Sequence, residues 1–482
     1  MNKTIKNLIF NISYQVLNII IPLITAPYIA RVMKPEGVGI YSYSNSVAGY
    51  FALFMLLGIA NYGSRTIAMN ASKGKKVLSE KFWEMYIFQI AASIIGIAVF
   101  ILFVAVSGGE YKTALYAQVF YLLSVALDIS WYFAGTEQFK LTVVRGFLIK
   151  LMQTAAIFVF VKSSKDLLLY ILIISVGTLL GKISLWIPLL KQISFEAITL
   201  KGVVKHIRPN LVLFIPLLAS SVFVYMDKIM LGVISSSSDL GLYEYAEKIV
   251  RLPLTVISAI GAVMMPKVSA LISSDDSNSA QKYMDISMRY ISLLAAAMSF
   301  GIAAIAKDLS VVYLGEEFAE CGLLMQVMSI IIMVSSFANI IRTQYLIPMK
   351  KDSIYAVSIV SAAVVNLILN IIFIPILGSI GAAIGTVGAE ISVLAGHIIG
   401  VYKELPLKKY LSEWITSLLC GAVMLVLVDF ATSFIPNNAV RLTVGIILGI
   451  AIFCILALLV LAQKKDDFIS KIFKRRESSN VK

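Results

Sequence analysis

Four ionisable side chains crowd the segment Gly241-Leu242-Tyr243-Glu244-Tyr245-Ala246-Glu247-Lys248-Ile249-Val250-Arg251. On a helix Glu244, Lys248 and Arg251 fall at i, i+4 and i+7 on one face, and Glu247 stands i, i+4 to Arg251. The flanking sequence is apolar over bilayer length. At that depth an ionisable group costs about 2.5–3.5 kcal/mol on insertion scales, so it faces a cavity or a partner. Two arrangements satisfy this. In one, Lys248 and Arg251, with Lys228 of the preceding Asp227-Lys228 pair, form the cationic wall of a cavity. The planar guanidinium fork then suits a diphosphate, which it can grip with two donors. In the other, two acids and two bases neutralise each other within the helix. Tyr243, with neighbours such as Tyr41, Tyr43 and Tyr245, either stacks on a sugar face or anchors the helix at the interface.

Other intramembrane charges fit a coupling role. Glu390 and His397 are seven residues apart on one helical face and could relay a proton or cation, or simply hydrogen-bond within the helix packing. Asp128 is either a coupling carboxylate or the partner of Lys182, and Lys182 can also snorkel to the surface. Glu244, Glu247 and Asp227 belong with these as gating candidates. The three cysteines (Cys321, Cys420, Cys454) and two histidines form no metal-ligand pattern, and nothing calls for a cofactor.

The elements that must position these groups follow from composition. Of 482 residues 59% are hydrophobic and 14% charged, against about 45–50% and 25% in soluble domains. That excludes a soluble enzyme. Apolar runs near 8–31, 38–62, 85–106, 113–134, 143–161, 167–190, 211–234, 241–266, 286–306, 321–347, 354–375, 381–402, 413–433 and 441–462 are each long enough to span as a helix, which needs about 20 residues. The expected fold is an all-α polytopic membrane protein of about 14 transmembrane helices. The connections are short; the longest on the far side, about 307–320, is too small to carry a catalytic domain, so an enzyme is not expected.

The net charge of +14 needs no nucleic acid to explain it. With the N-terminus inside, about 30 Lys and Arg lie on the inner side, including the tail after 463, and only about seven on the outer, which orients both ends to the cytoplasm. Gly39-Ile40-Tyr41-Ser42-Tyr43 recurs 202 residues later as Gly241-Leu242-Tyr243-Glu244-Tyr245. An even number of spans separates the copies, so both run the same way. This predicts two parallel six-helix halves around a central cavity. The expected organisation is lobes at 1–200 and 201–410, two additional helices at 411–462, and a basic cytoplasmic tail at 463–482. The glycines from Gly378 to Gly388 predict close helix packing.

Motifs in order along the chain carry a resemblance. Pro27-Tyr28-Ile29-Ala30-Arg31 through Gly39-Ile40-Tyr41, the continuation to Asn61-Tyr62-Gly63-Ser64-Arg65, Asp128-Ile129-Ser130-Trp131-Tyr132-Phe133, Asp227-Lys228-Ile229-Met230-Leu231-Gly232, and Asn366-Leu367-Ile368-Leu369-Asn370 with Gly378-Ser379-Ile380-Gly381 are involved. Together they resemble the Wzx-type O-antigen flippases, in the polysaccharide-transport branch of the multidrug/oligosaccharidyl-lipid/polysaccharide exporter superfamily. The resemblance implies a flippase of the bacterial inner membrane. Such a protein moves an undecaprenyl-diphosphate-linked oligosaccharide between leaflets by alternating access, with a cation gradient as a candidate driving force. Membrane lipid and other polysaccharide assembly proteins are the implied further partners. The related lipid II flippases use cavity arginines on the first two helices. Arg31 and Arg65 are the candidates here, but they lie near opposite membrane faces, so a headgroup or structural role competes with diphosphate binding. A multidrug cation antiporter of the same superfamily and a membrane glycan polymerase or ligase are the alternative functions.

Overall fold

A computed structural model describes residues 3–196 and 198–464, with side chains from Ile20 onward except at 216, 219, 220, 222 and 223. Most of the expected basic tail, from 465, lies outside the described residues. The described chain is helical: α1 (Lys3–Leu56), α2 (Ile59–Asn70), α3 (Lys75–Ser107), α4 (Lys112–Ala117), α5 (Val119–Ala126), α6 (Ser130–Gly135), α7 (Phe139–Phe160), α8 (Leu167–Ile183), α9 (Trp186–Gln192), α10 (Leu200–Val204), α11 (Ile207–Ile234), α12 (Ser237–Ser273), α13 (Ser277–Leu309), α14 (Cys321–Ile341), α15 (Asp352–Leu377), α16 (Ser379–Val401), α17 (Leu407–Thr432) and α18 (Asn438–Gln463). A π-helical turn, Arg342–Leu346, extends α14.

Eleven of the described helices, or twelve counting the bent pair Gly109–Gly135, are long and apolar enough to cross a membrane. The first of them is really two. At Lys34 the backbone leaves helical geometry (φ 59°, ψ 173°), at a position where the ring of Pro35 disfavours the α conformation. With that division, and with the 28-residue α11, the helices coincide with the fourteen apolar runs. The protein is an all-α polytopic membrane protein.

The run 113–134 is not a continuous helix. It breaks at Gln118, where it bends by 41°, and again at 127–129. A break at bilayer depth exposes carbonyls that lipid cannot satisfy. Here side chains supply the donors. Gln89 Nε2 donates to the carbonyls of Val125 (3.0 Å) and Asp128 (2.9 Å), and Trp186 Nε1 to that of Leu127 (3.1 Å). Trp131 Nε1 in turn fixes Gln89 Oε1 at 3.0 Å.

The helices form two compact units, Met1–Glu244 and Tyr245–Lys482, with the boundary inside α12. In the first, α1 packs on α3, α7 and α11, and α5 on α8. A cluster of buried aromatics, with Phe82, Trp131 and Tyr132 at its centre, joins α3 to α6. In the second, α13 packs on α14, α17 and α18, and α15 on α16. Gly378 (φ 54°) makes the tight turn from α15 to α16. Beyond it the stripe Gly381, Gly385, Gly388, Gly396 and Gly400 lies so close to α15 that a Cβ at each would come within 2.1–2.4 Å of it. The close packing expected of the glycine run is there.

The repeated glycines meet. A Cβ at Gly39 would stand 1.7 Å from the Ser237 carbonyl oxygen, and one at Gly241 would stand 1.9 Å from that of Pro35. Ser237 is the counterpart of Pro35 at the 202-residue offset, so the two contacts are mirror copies. The third contact pairs counterparts directly: Ser42 Oγ donates to Glu244 Oε2 at 2.8 Å, 202 residues away. Reciprocal contacts of this form define a local two-fold axis between the two segments.

At the opposite end of the first unit sits a network that long-range folding alone assembles. Glu84 is buried and accepts from Lys81 (2.8 Å), Lys205 (3.2 Å) and His206 Nε2 (3.0 Å). Tyr62 OH meets His206 Nδ1 at 2.8 Å. Gly202 makes the approach possible, since a Cβ there would stand 2.2 Å from Glu84 Oε1. His206 lies in the turn before α11. Burial holds its imidazole below the ordinary value of 6.5, outweighing the attraction of Glu84.

Two outcomes follow from these contacts. Gly39→Val should overpack the α1–α12 contact and lower stability by about 2 kcal/mol or more. Gly301→Ala, with nothing within 4 Å of its Cβ, should leave stability unchanged or raise it by about 0.5–1 kcal/mol. Thermal unfolding in detergent reads both. Because His206 titrates lower in the folded state, the unfolded chain takes up the proton first as pH falls. Stability should therefore decline below about pH 6.5, and His206→Gln should flatten that part of the unfolding-midpoint profile between pH 7 and 5.

Candidate functional site

In the first unit Asp227 and Lys228 of α11 meet the start of α12. Lys228 Nζ lies 2.6 Å from Glu244 Oε2, the oxygen that also accepts from Ser42. One step round, Tyr243 OH donates to Asp227 Oδ2 at 2.9 Å, and both side chains are buried. Sequential neighbours Asp227 and Lys228 thus serve two different contacts, because adjacent helical positions point about 100° apart. Tyr50 and Tyr225 continue the aromatic lining with ring centroids 5.4 Å apart, and Gly49 leaves room for the Tyr225 ring.

Asp128 meets Lys182. Its Oδ2 lies 2.5 Å from Lys182 Nζ, and its Oδ1 accepts from the Ser130 amide at 2.9 Å. The same carboxylate therefore neutralises Lys182 and starts α6 across the break. Arg31 is exposed, three residues before the division at Lys34. Arg65 is exposed on α2 and, with Arg208 of α11, opens on a cavity of about 600 Å³ whose walls include Tyr62, Met69 and Val212. Arg31 and Arg65 therefore lie on separate stretches of α1 and α2, as their positions in the spans suggest.

In the second unit Arg251 is the centre. Its Nε donates to Glu247 Oε1 at 2.7 Å, as the i, i+4 spacing predicts. Its Nη1 is 3.8 Å from Glu390 Oε1 on α16, a contact that the spacing could not show. Glu390 Oε2 accepts from Ser335 of α14 at 2.6 Å. Arg251 thus ties α12, α16 and α14 together. It sits about 20 Å along α12 at 1.5 Å per residue, yet its side chain keeps 37% of its surface accessible. Lys248 is exposed one turn earlier, with Nζ 5.4 Å from the Tyr245 ring centroid.

Glu390 and His397 go to different partners. His397 is buried and its Nδ1 faces the Ala338 carbonyl at 3.2 Å, with its ring 6.1 Å from that of Tyr355. The polar group beside it is Arg342, whose guanidinium lies over the same Tyr355 ring at 5.7 Å. Arg342 escaped the reading of the sequence because it stands at the end of an apolar run, where a basic residue is ordinary. The Glu84–His206 network escaped it because its members are about 120 residues apart. Among the described residues no group of three or more His, Cys, Asp or Glu is placed to hold a metal ion.

The arrangement is one of fixed, mostly neutralised charge at bilayer depth, with single cations left accessible. Comparison with known proteins bears on the family and the fold. A family model described as "Polysaccharide biosynthesis protein" matches residues 4–272. A Shigella dysenteriae protein named "Putative O-antigen transporter" is 24% identical over 398 residues, covering 81% of this chain and 98% of its own. Among solved structures, "Lipid II flippase MurJ, inward closed conformation" superposes with a TM-score of 0.71 at 16% identity, over 95% of this chain and 99% of that one. A multidrug resistance MATE family transporter of the MOP superfamily superposes at 0.58 and 14% identity, over 81% and 94%. Both structures show a shared fold. The family match takes in more than half of the sequence, from the first helix through α12: the chain belongs to the polysaccharide biosynthesis protein family.

Proposed function

We propose that the protein is a flippase for a polyprenyl-diphosphate-linked oligosaccharide, the repeat unit of an O-antigen or related surface polysaccharide. It would carry the headgroup from the cytoplasmic to the periplasmic leaflet of a bacterial inner membrane by alternating access, with both chain ends in the cytoplasm. The observation that carries this reading is Arg251: a guanidinium deep in a spanning helix, braced by two carboxylates from different helices and still accessible. Its side chain is more accessible than the paired Lys228 and Lys182. An accessible ion pair can exchange a carboxylate for a phosphate, which offers the same two-oxygen acceptor to the fork with more charge. The polyprenyl tail never needs to leave the bilayer; only the headgroup has to be shielded from roughly 30 Å of hydrocarbon.

Family membership and the name of the Shigella relative supply the glycan, and the MurJ title supplies a lipid-linked cargo for the same fold. Glu390 is the carboxylate through which a cation gradient would act. Protonating it, or screening it with a metal cation, weakens its hold on Arg251 and so links ion binding to cargo release.

Purified protein in liposomes should transfer an undecaprenyl-diphosphate oligosaccharide between leaflets. Arg251→Ala should cut the rate at least about tenfold, the worth of one charge-assisted contact, at unchanged membrane abundance. Normal transfer by that variant would remove Arg251 from the cargo path. Efflux of a cationic dye without glycolipid transfer would replace the flippase by a drug exporter. Orientation has its own check. A cysteine at the exposed Ser238 should react with an impermeant maleimide in intact spheroplasts, and reaction only after lysis would invert the topology.

A further inference from the structure

α14 is almost entirely interior, and its few accessible positions are informative. From Ser335 to Tyr345, through the π-helical turn, the positions that are not buried are Ser335, Asn339, Arg342 and Tyr345. They are spaced by four, three and three residues, so they form one stripe, and all four are polar. A stripe that faced lipid would be apolar. α15 shows what such a face looks like, with Val357, Val360, Val364, Leu367, Ile368 and Ile371 exposed along it. The accessible edge of α14 therefore faces water.

Arg342 is the cation on this edge, and its geometry is unlike that of an arginine anchoring a helix end. It stands about 30 Å along α14, where a long basic side chain normally reaches outward to the headgroups. Instead Nη2 turns back by one turn to donate to Asn339 Oδ1 at 2.9 Å, and the guanidinium lies over Tyr355. Its Nε is buried with no hydrogen-bond acceptor among the described residues. A charged donor left without an acceptor costs more than about 1–3 kcal/mol, so this group needs one from the water-facing side of the edge. No carboxylate ion pair is found for Arg342 among the described residues, whereas Arg251 has two acids. The π turn that carries Arg342 is a form that recurs at functional sites. Ser335, at the other end of the stripe, holds Glu390, which meets Arg251. Arg342 and Arg251 thus stand at two levels of one helix wall, with Ser335 and Asn339 between them.

We propose that this edge of α14 is a hydrated entry track for the cargo headgroup, and that Arg342 is its first phosphate contact, ahead of Arg251. Tyr345 marks the mouth, where its hydroxyl and Lys351 share Glu404. The assignment of phosphate as ligand rests on the flippase reading; the hydration of the track does not.

The two parts separate experimentally. Asn339→Cys and Val360→Cys, each with the exposed Cys454 replaced by alanine, would be exposed in proteoliposomes to a charged, membrane-impermeant maleimide on the Lys351 side. The cysteine at 339 should react and that at 360 should not, and undecaprenyl diphosphate should slow the reaction at 339 several-fold. An unreactive 339 in protein that transfers glycolipid would sink the track. Reaction at 339 in protein whose unaltered form transfers no glycolipid would sink the cargo reading and leave the track standing. Arg342→Ala should raise the half-saturating glycolipid concentration at least tenfold with a smaller effect on the maximal rate. Arg342→Lys should recover little of this, since an ammonium has no fork. Alanine and lysine variants that saturate like the unaltered protein would overturn the role of Arg342, provided their unfolding midpoints match it.

Discussion

The contact between Gly39 and Gly241 is the constraint on which the first unit depends. Two helix starts approach until carbonyl oxygens occupy the space that side chains would take. Only glycine permits this, and the approach sets what can surround it. It brings Ser42 to Glu244 and so places Glu244 beside Lys228. Tyr243 is directed toward Asp227 by the same register. Asp227, Lys228 and Glu244 are thus arranged by a backbone contact rather than by mutual attraction alone, and their contacts remove most of the cost of placing them in the bilayer.

Intramembrane charge is handled in two ways. In the first, pairs close on themselves: Lys228 with Glu244, Lys182 with Asp128. In the second, Arg251 is held between two acids and remains accessible, while Arg342 leans on an amide and an aromatic ring. Closed pairs resist exchange, because either partner left alone is a buried charge. Open or amide-held cations exchange partners at small cost. A protein that must grip an anion and let it go needs the second kind on its path and the first kind elsewhere.

Much of this was legible in the sequence, for identifiable reasons. Helical spans were readable because lipid demands long apolar runs, and the Arg251–Glu247 contact because i, i+4 geometry is local. The repeat was readable from five residues, although its two-fold contacts were not. The break at 127–129 was not legible: Asp128 marks the place, but the groups that permit the break, Gln89 and Trp186, lie on other helices. Glu390 and His397 share a face by spacing, yet their partners come from α12 and α14, so the relay suggested by their period has no direct link. Arg342 was hidden by position. Only the direction of its side chain, inward instead of outward, distinguishes it from the many basic residues that flank spans.

The hydrogen bond from Ser42 to Glu244 has a consequence of another kind. It joins two positions that are equivalents under the local two-fold axis. In a symmetric pair of separate, identical subunits the same position would face its own copy, serine against serine or glutamate against glutamate. The first is a weak contact and the second a repulsion between like charges. An unlike pair on the axis requires that the two segments differ in sequence, as they do within this one polypeptide: one position supplies a small donor and the other a charge, and that charge is the one that holds Lys228.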